Sequence, residues 1–115
     1  GNPLACAAGL TVLETLSHDG LLARVVALGE HLGSALGRLA DKHARLALEP
    51  RGQGLLRGLA LRGDAAPVVA RCRDRGVLLS VAGGTVVRFV PPYVVTEGEL
   101  DRGLAVLDEV LGAST

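Results

Sequence analysis

The sequence predicts an α+β fold in which a small, largely antiparallel sheet of about four strands carries helices on one face. Three patterns support this prediction. Leucines and valines recur at spacings of three and four over about residues 20–43, apolar residues alternate with others in short stretches between 44 and 90, and a capping box opens a last apolar-periodic run at Thr96. The predicted order is α-α-β-β-α-β-β-α, and the first helix is the long one that precedes the rest.

The helices are predicted from their start signals and apolar stripes. Asn2 can cap a helix and Pro3 suits its first position, so an apolar helix is expected to about Leu16. That helix is apolar nearly all round, which predicts burial between two bodies. The second helix shows a single stripe, formed by Leu21, Val25, Leu28, Leu32, Leu36 and Leu39. The last helix shows another, formed by Leu100, Leu104, Leu107 and Leu111.

The strands are predicted from period-two patterns bounded by turn residues. Residues 44–50 and 54–63 form one pair, with the glycines of the RGQG stretch at 51–54 as the turn. Residues 76–81 and 85–90 form another, joined by a tight turn at Ala-Gly-Gly. Between the pairs, Asp64 is expected to cap a short helix that Gly76 ends.

Composition narrows the possible partners and compartment. The formal net charge is zero and only Phe89 and Tyr93 are aromatic, which argues against nucleic-acid binding. The apolar runs are short and interrupted by charge, so no signal peptide or membrane span is expected. Cys6 and Cys72 have no metal-ligand spacing and are interpreted as buried thiols of a cytoplasmic protein. The chain starts Gly-Asn-Pro, without Met, which suggests a piece of a longer protein.

Most residues that could carry chemistry have a structural explanation. His18, His31 and His43 have no second ligand or nucleophile at a useful spacing, so they are predicted to be surface or boundary residues. Lys42 is expected to be solvated on the polar side of its helix. No catalytic residue and no metal site is therefore predicted in this chain.

Arg88 needs a separate explanation because it lies in the middle of an apolar strand that runs into Pro91. By alternation, Arg88 shares a face with Val86 and Val90, away from the face packed on the helices. A guanidinium held on a strand is suited to two-pronged binding of a carboxylate. The alternative is an edge-strand arginine paired with a nearby glutamate. The local pattern leaves both possibilities open.

Several stretches together resemble one enzyme family. GNPLACAAGLTVLE at the start and VVRFVPPYVVTEGELDRGLAVLDEVL at the end, with EPRGQGLLRGLAL and RDRGVLLSVAG between them, resemble the C-terminal segment of class III aminotransferases. The likeness is greatest to the acetylornithine aminotransferases and their succinylornithine and ornithine relatives. It covers essentially the whole chain, and the Arg-x-x-Pro-Pro and Gly-Asn-Pro-Leu-Ala motifs are fairly specific.

The resemblance implies that residues 1–115 are the C-terminal small domain of a homodimeric enzyme that uses pyridoxal phosphate (PLP), with residues 1–17 as the interdomain helix. The implied reaction moves an amino group between N-acetylornithine, or a related ω-amino donor, and 2-oxoglutarate. Arg88 occupies the position that binds a substrate carboxylate. The family's catalytic lysine and cofactor-binding acid belong to the large domain, so this chain is expected to bind no PLP and to be inactive alone.

Two further expectations remain. Without its large domain, the chain is expected to expose an apolar face of its first helix, and therefore to self-associate or to let that helix move. The alternative to an enzyme domain is a non-enzymatic α+β ligand-binding or regulatory module in which Arg88 anchors an anion.

Overall fold

The predicted α+β fold is confirmed in the part of the chain that the structure describes. The computed structural model describes residues 20–92 and 94–114, with only the backbone of Leu21. The predicted first helix therefore lies outside the described residues, and so do Asn2, Pro3 and Cys6. The described elements are α1 (Leu21–Lys42), β1 (Ala47–Gln53), β2 (Leu56–Leu61), α2 (Ala66–Asp74), β3 (Ser80–Ala82), β4 (Val86–Phe89) and α3 (Glu97–Ala113).

The strands form one antiparallel sheet in the order β1-β2-β4-β3. Its two faces differ, as the alternation predicts. On one face, Leu59 and Val87 are fully buried and Phe89 is almost so, and all three belong to the apolar core. Val86 and Arg88 point to the other face, where they are half-buried. We call this second surface the open face of the sheet.

The helices cover the core face through the predicted leucine stripes. Leu32 and Leu36 of α1 and Leu107 and Leu111 of α3 are completely buried. The capping box at the start of α3 is also confirmed. The Thr96 hydroxyl accepts from the Glu99 amide at 3.1 Å, and the Glu99 carboxylate accepts from the Thr96 amide at 3.1 Å.

The turn between the first two strands is shorter than predicted. Of the RGQG stretch only Gly54 belongs to it, because β1 continues to Gln53, which pairs with Leu56. The turn consists of Gly54 and Leu55. Two residues suffice because Gly54 adopts a positive φ of 55°, a conformation in which a glycine closes a tight hairpin without steric cost.

The third strand is shorter than its sequence pattern predicts. Only Ser80–Ala82 pair with β4, whereas residues 76–79 of the predicted strand make no ladder. The register explains this difference, since Ser80 pairs with Arg88 and the partner strand ends at Phe89, just before Val90 and the two prolines. Proline donates no backbone hydrogen bond, so the ladder cannot extend in that direction.

The start of α2 differs slightly from the prediction. Asp64 does accept a hydrogen bond, from the Ala66 amide at 3.1 Å, but the N-cap position itself is Ala65. At the other end, Gly76 has φ 85°, which is consistent with its predicted role of ending the helix.

Candidate carboxylate-binding site

Arg88 lies on an interior strand, in a row of residues that crosses the open face. Its cross-strand neighbours are Gly58 on β2 and Ser80 on β3, and Gly58 is in turn paired with Arg51 on β1. The edge-strand alternative for Arg88 is therefore wrong, because β4 has a strand on each side. The row reads Arg51, Gly58, Arg88, Ser80 across the sheet.

The guanidinium of Arg88 makes one side-chain hydrogen bond within the part of the chain that the structure describes. Its Nε donates to the Ser80 hydroxyl at 3.2 Å. Among the described residues, no carboxylate lies within ion-pair distance of Arg88, although Lys42, Arg51 and Arg75 each pair with one elsewhere. A half-buried guanidinium still has to satisfy its remaining donors, and a carboxylate does so with two parallel hydrogen bonds.

Gly58 leaves the other flank of Arg88 without a side chain. A Cβ at position 58 would lie 2.8 Å from Val86 Cγ1 and 2.9 Å from the Val87 carbonyl oxygen. Such contacts are too short for any residue larger than glycine without movement of β4. Close strand packing therefore requires glycine here, so β2 places no side chain opposite Arg88.

The open face of the sheet forms one side of the site at Arg88. In the described part of the chain, no segment faces it from the opposite side. A depression of about 440 Å³ exists at the end of β4, but it lies on the core side, where Phe89, Pro91 and Leu100 contribute to its lining, and Arg88 does not. Ligand sites are normally concave and enclose most of their ligand. A small-molecule site at Arg88 therefore needs another segment of protein facing the sheet.

The two histidines that the structure describes each lie next to a carboxylate of α3. Nε2 of His31 lies 2.6 Å from Asp101, and Nε2 of His43 lies 2.6 Å from Asp108. His43 is buried, with 8% of its side chain exposed, rather than at the surface. The partners are 70 and 65 residues away along the chain, so no local spacing could indicate them.

His31, Glu97 and Asp101 are close enough together to surround a cation, since their ligand atoms lie within 4.8 Å of one another. Nε2 of His31 is already engaged with Asp101, and its Nδ1 lies 3.7 Å from Glu97. With each imidazole nitrogen facing a carboxylate, we interpret the group as a polar cluster that joins α1 to α3.

The position of Lys42 does not fit a role in holding PLP. A catalytic lysine of this kind needs a desolvated setting next to the cofactor. Lys42 is instead 62% exposed at the end of α1, where its Nζ pairs with Asp108 at 2.9 Å. Its predicted solvation is thus correct, and the chain's only lysine is occupied by a surface ion pair.

Cys72 is buried in the core, and burial raises the pKa of its thiol. A protonated thiol in such surroundings is unreactive, in agreement with the structural interpretation of this residue.

Within the described residues, no helix is both long enough and apolar enough to cross a membrane.

Comparison with known proteins identifies the family. The family model described as aminotransferase class-III matches residues 1–111. The chain belongs to the class III aminotransferase family. It is 43% identical to an acetylornithine aminotransferase from Synechocystis in an alignment of 115 positions that covers 96% of this chain and 27% of that protein. A mitochondrial acetylornithine aminotransferase from Neurospora crassa is 40% identical, over 95% of this chain and 24% of its own length. The chain thus spans about a quarter of the length of these relatives.

Solved structures of class III enzymes share the fold. A lysine aminotransferase from Mycobacterium tuberculosis superimposes with a TM-score of 0.84 at 32% identity, over 90% of this chain and 24% of that one. An acetylornithine aminotransferase from Elizabethkingia anophelis gives the same TM-score at 26% identity, over 97% of this chain and 29% of that one.

Proposed function

We propose that residues 1–115 are the C-terminal small domain of an acetylornithine-type aminotransferase. The parent enzyme transfers an amino group between N-acetylornithine, or a related ω-amino donor, and 2-oxoglutarate. It is a cytoplasmic homodimer that uses PLP, and residues 1–17 connect this domain to the large domain. The similarity to acetylornithine aminotransferases along nearly the whole chain supports this proposal.

Arg88 binds a carboxylate of the substrate in this proposal. The observation that carries it is a half-buried guanidinium on an interior strand that has no carboxylate partner among the described residues. Leaving a charge partly buried and unpaired is costly, so a protein that gains nothing from it would pair or remove it. A substrate carboxylate supplies the partner, and both the amino donor and the oxo-acid acceptor carry one.

The opposite side of the site and the cofactor belong to the rest of the parent. The exposed position of Lys42 and its ion pair with Asp108 do not suit this lysine to hold PLP. PLP in the parent supplies the electron sink for amino-group transfer. The contribution of this chain is to bind and orient the substrate, which lowers the entropic cost of reaching the reactive geometry.

The test is Arg88→Lys in the full-length parent. Lysine keeps the charge but loses the planar, two-pronged donor geometry. We expect kcat/KM for both the amino donor and 2-oxoglutarate to fall about 100-fold, or about 2.7 kcal/mol at 1.36 kcal/mol per decade. The free energy of unfolding should change by less than about 1 kcal/mol.

Arg51→Lys is the matched control. Arg51 lies in the same cross-strand row, but it is exposed and already paired with Glu49 at 3.2 Å. This variant should keep kcat/KM within about threefold of the wild type, because an exposed ion pair contributes little. Near-normal kinetics for Arg88→Lys together with a large fall in melting temperature would show that Arg88 is structural, and would reject the proposed role.

A further inference from the structure

We infer that Ser80 is a positioning residue for Arg88, and that it makes the guanidinium bind a carboxylate end-on, through its two terminal nitrogens. The inference rests on the proposed role of Arg88 and adds the geometry of binding. It starts from the 3.2 Å hydrogen bond that Arg88 Nε donates to Ser80 Oγ.

A guanidinium can offer a carboxylate two pairs of parallel N–H groups. One pair joins Nε to a terminal nitrogen and presents the side of the group. The other joins the two terminal nitrogens and presents its end. Nε carries a single hydrogen, and in this structure that hydrogen is directed to Ser80. The side-on pair is therefore unavailable while the Ser80 bond is intact, and the end-on pair remains.

The backbone places the Ser80 hydroxyl accurately. Ser80 and Arg88 are direct partners in the β3–β4 ladder, so their side chains leave the same face of the sheet. The hairpin that joins them turns at Gly83 and Gly84, which have φ 59° and 79°. Glycine adopts these positive values without strain, so the turn holds the register of the pair.

Of the two cross-strand neighbours of Arg88 in the described sheet, only Ser80 has a side chain that can hold the guanidinium in place. The opposite neighbour is Gly58, which has no side chain that could hold the guanidinium. An arginine side chain that has to be ordered on binding loses rotamer freedom, at a cost in affinity. The Ser80 bond orders the group before the substrate arrives.

The experiment compares Ser80→Ala and Ser80→Thr in the full-length parent, using two classes of amino donor. One donor carries an α-carboxylate and the other is a simple alkylamine without one. Ser80→Ala should lower kcat/KM for the carboxylated donor about tenfold, mainly through a higher KM, and should leave the alkylamine within about twofold. Ser80→Thr retains the hydroxyl and suits a strand, so it should restore kcat/KM to within about threefold of the wild type.

A second measurement follows the hydrogen bond itself. In the 115-residue chain labelled with ¹⁵N-arginine, the Nε–H signal of Arg88 is identified by its absence in Arg88→Lys. The Nε hydrogen of Arg88 should exchange with water more slowly than those of the exposed arginines. Ser80→Ala should increase this exchange rate about fivefold, whereas Ser80→Thr should leave it unchanged.

The outcomes separate the two proposals. If Arg88→Lys has no kinetic effect, the proposed function of Arg88 fails, whatever Ser80 does. If Arg88→Lys is impaired but Ser80→Ala handles the carboxylated donor normally, only the positioning role is overturned. Equal losses for the carboxylated donor and the alkylamine would also overturn it, because they would indicate general damage to the fold.

Discussion

His43 and Asp108 join the C-terminal half of α3 to the end of α1, with 2.6 Å between Nε2 and Oδ1. His43 is the C-cap residue of α1 and is buried, and Asp108 also accepts from Lys42 at 2.9 Å through its other oxygen. One carboxylate thus accepts from two consecutive residues of the neighbouring helix. These bonds hold the Asp108 pKa below its usual value, with the His43 bond as the larger cause and the Lys42 bond as the next.

Because the pKa of Asp108 is lowered, the stability of the domain should depend on pH in the acid range. The folded state favours the ionised carboxylate, so its contribution is present above the unfolded-state pKa of about 3.9. The contribution is lost as the pH falls through the lower, folded-state value. We expect the contribution of Asp108 to the free energy of unfolding to be constant near neutral pH and to decrease below about pH 4. Urea titrations at a series of pH values measure this dependence.

Three variants test the assignment to Asp108. His43→Gln should weaken the acid dependence more than Lys42→Gln, because the His43 bond is the larger cause of the shift. Asp108→Asn should reduce it most, at a cost of about 1 kcal/mol at pH 7. If the three variants lose stability in acid as steeply as the wild type, another group is responsible.

Glycines within α1 provide a matched pair for testing how the helix packs on the sheet. A Cβ on Gly29 would lie 2.6 Å from the carbonyl carbon of Gly54, in the β1–β2 turn, and closer still to its oxygen. Backbone cannot move aside as a side chain can, so Gly29→Ala should lower the free energy of unfolding by about 2 kcal/mol, despite the better helix propensity of alanine.

Gly37→Ala is the control on the same helix. A Cβ at Gly37 meets nothing within 4 Å, so alanine should raise the free energy of unfolding by up to about 1 kcal/mol. Urea denaturation of both variants measures the difference. Equal effects of the two substitutions would mean that α1 does not approach the turn as closely as the structure shows.

The comparison between sequence and structure separates local signals from tertiary ones. The capping box at Thr96 and the leucine stripes were predictable because each depends on residues within one or two turns of a helix. The open-face position of Arg88 followed from alternation along one strand. The length of β3 could not be predicted in this way, because it depends on the register with β4, which ends at Phe89.

The candidate site was predictable only in part for the same reason. Arg88 could be selected as an unusual charge on a strand, but its neighbours Ser80 and Gly58 come from two other strands. The GVLLSV pattern gives Ser80 no distinguishing feature. The partners of His31 and His43 lie on another helix, so a search for ligand spacing along the sequence could not find them.

The last prediction concerns the cofactor. Lys42 is the only lysine of the chain and lies exposed beside Asp108, so it lacks the desolvated surroundings that make a lysine a good nucleophile near neutral pH. We expect the 115-residue chain, mixed with a low concentration of PLP and reduced with borohydride, to carry much less than one label per chain at Lys42. Mass spectrometry of a digest measures the labelling, and Lys42→Gln shows how much signal arises elsewhere, including the amino terminus. Stoichiometric labelling of Lys42 at low PLP would contradict the expectation and would give this domain a cofactor site of its own. Sparse labelling that grows in proportion to PLP concentration is the result expected of an ordinary surface amine.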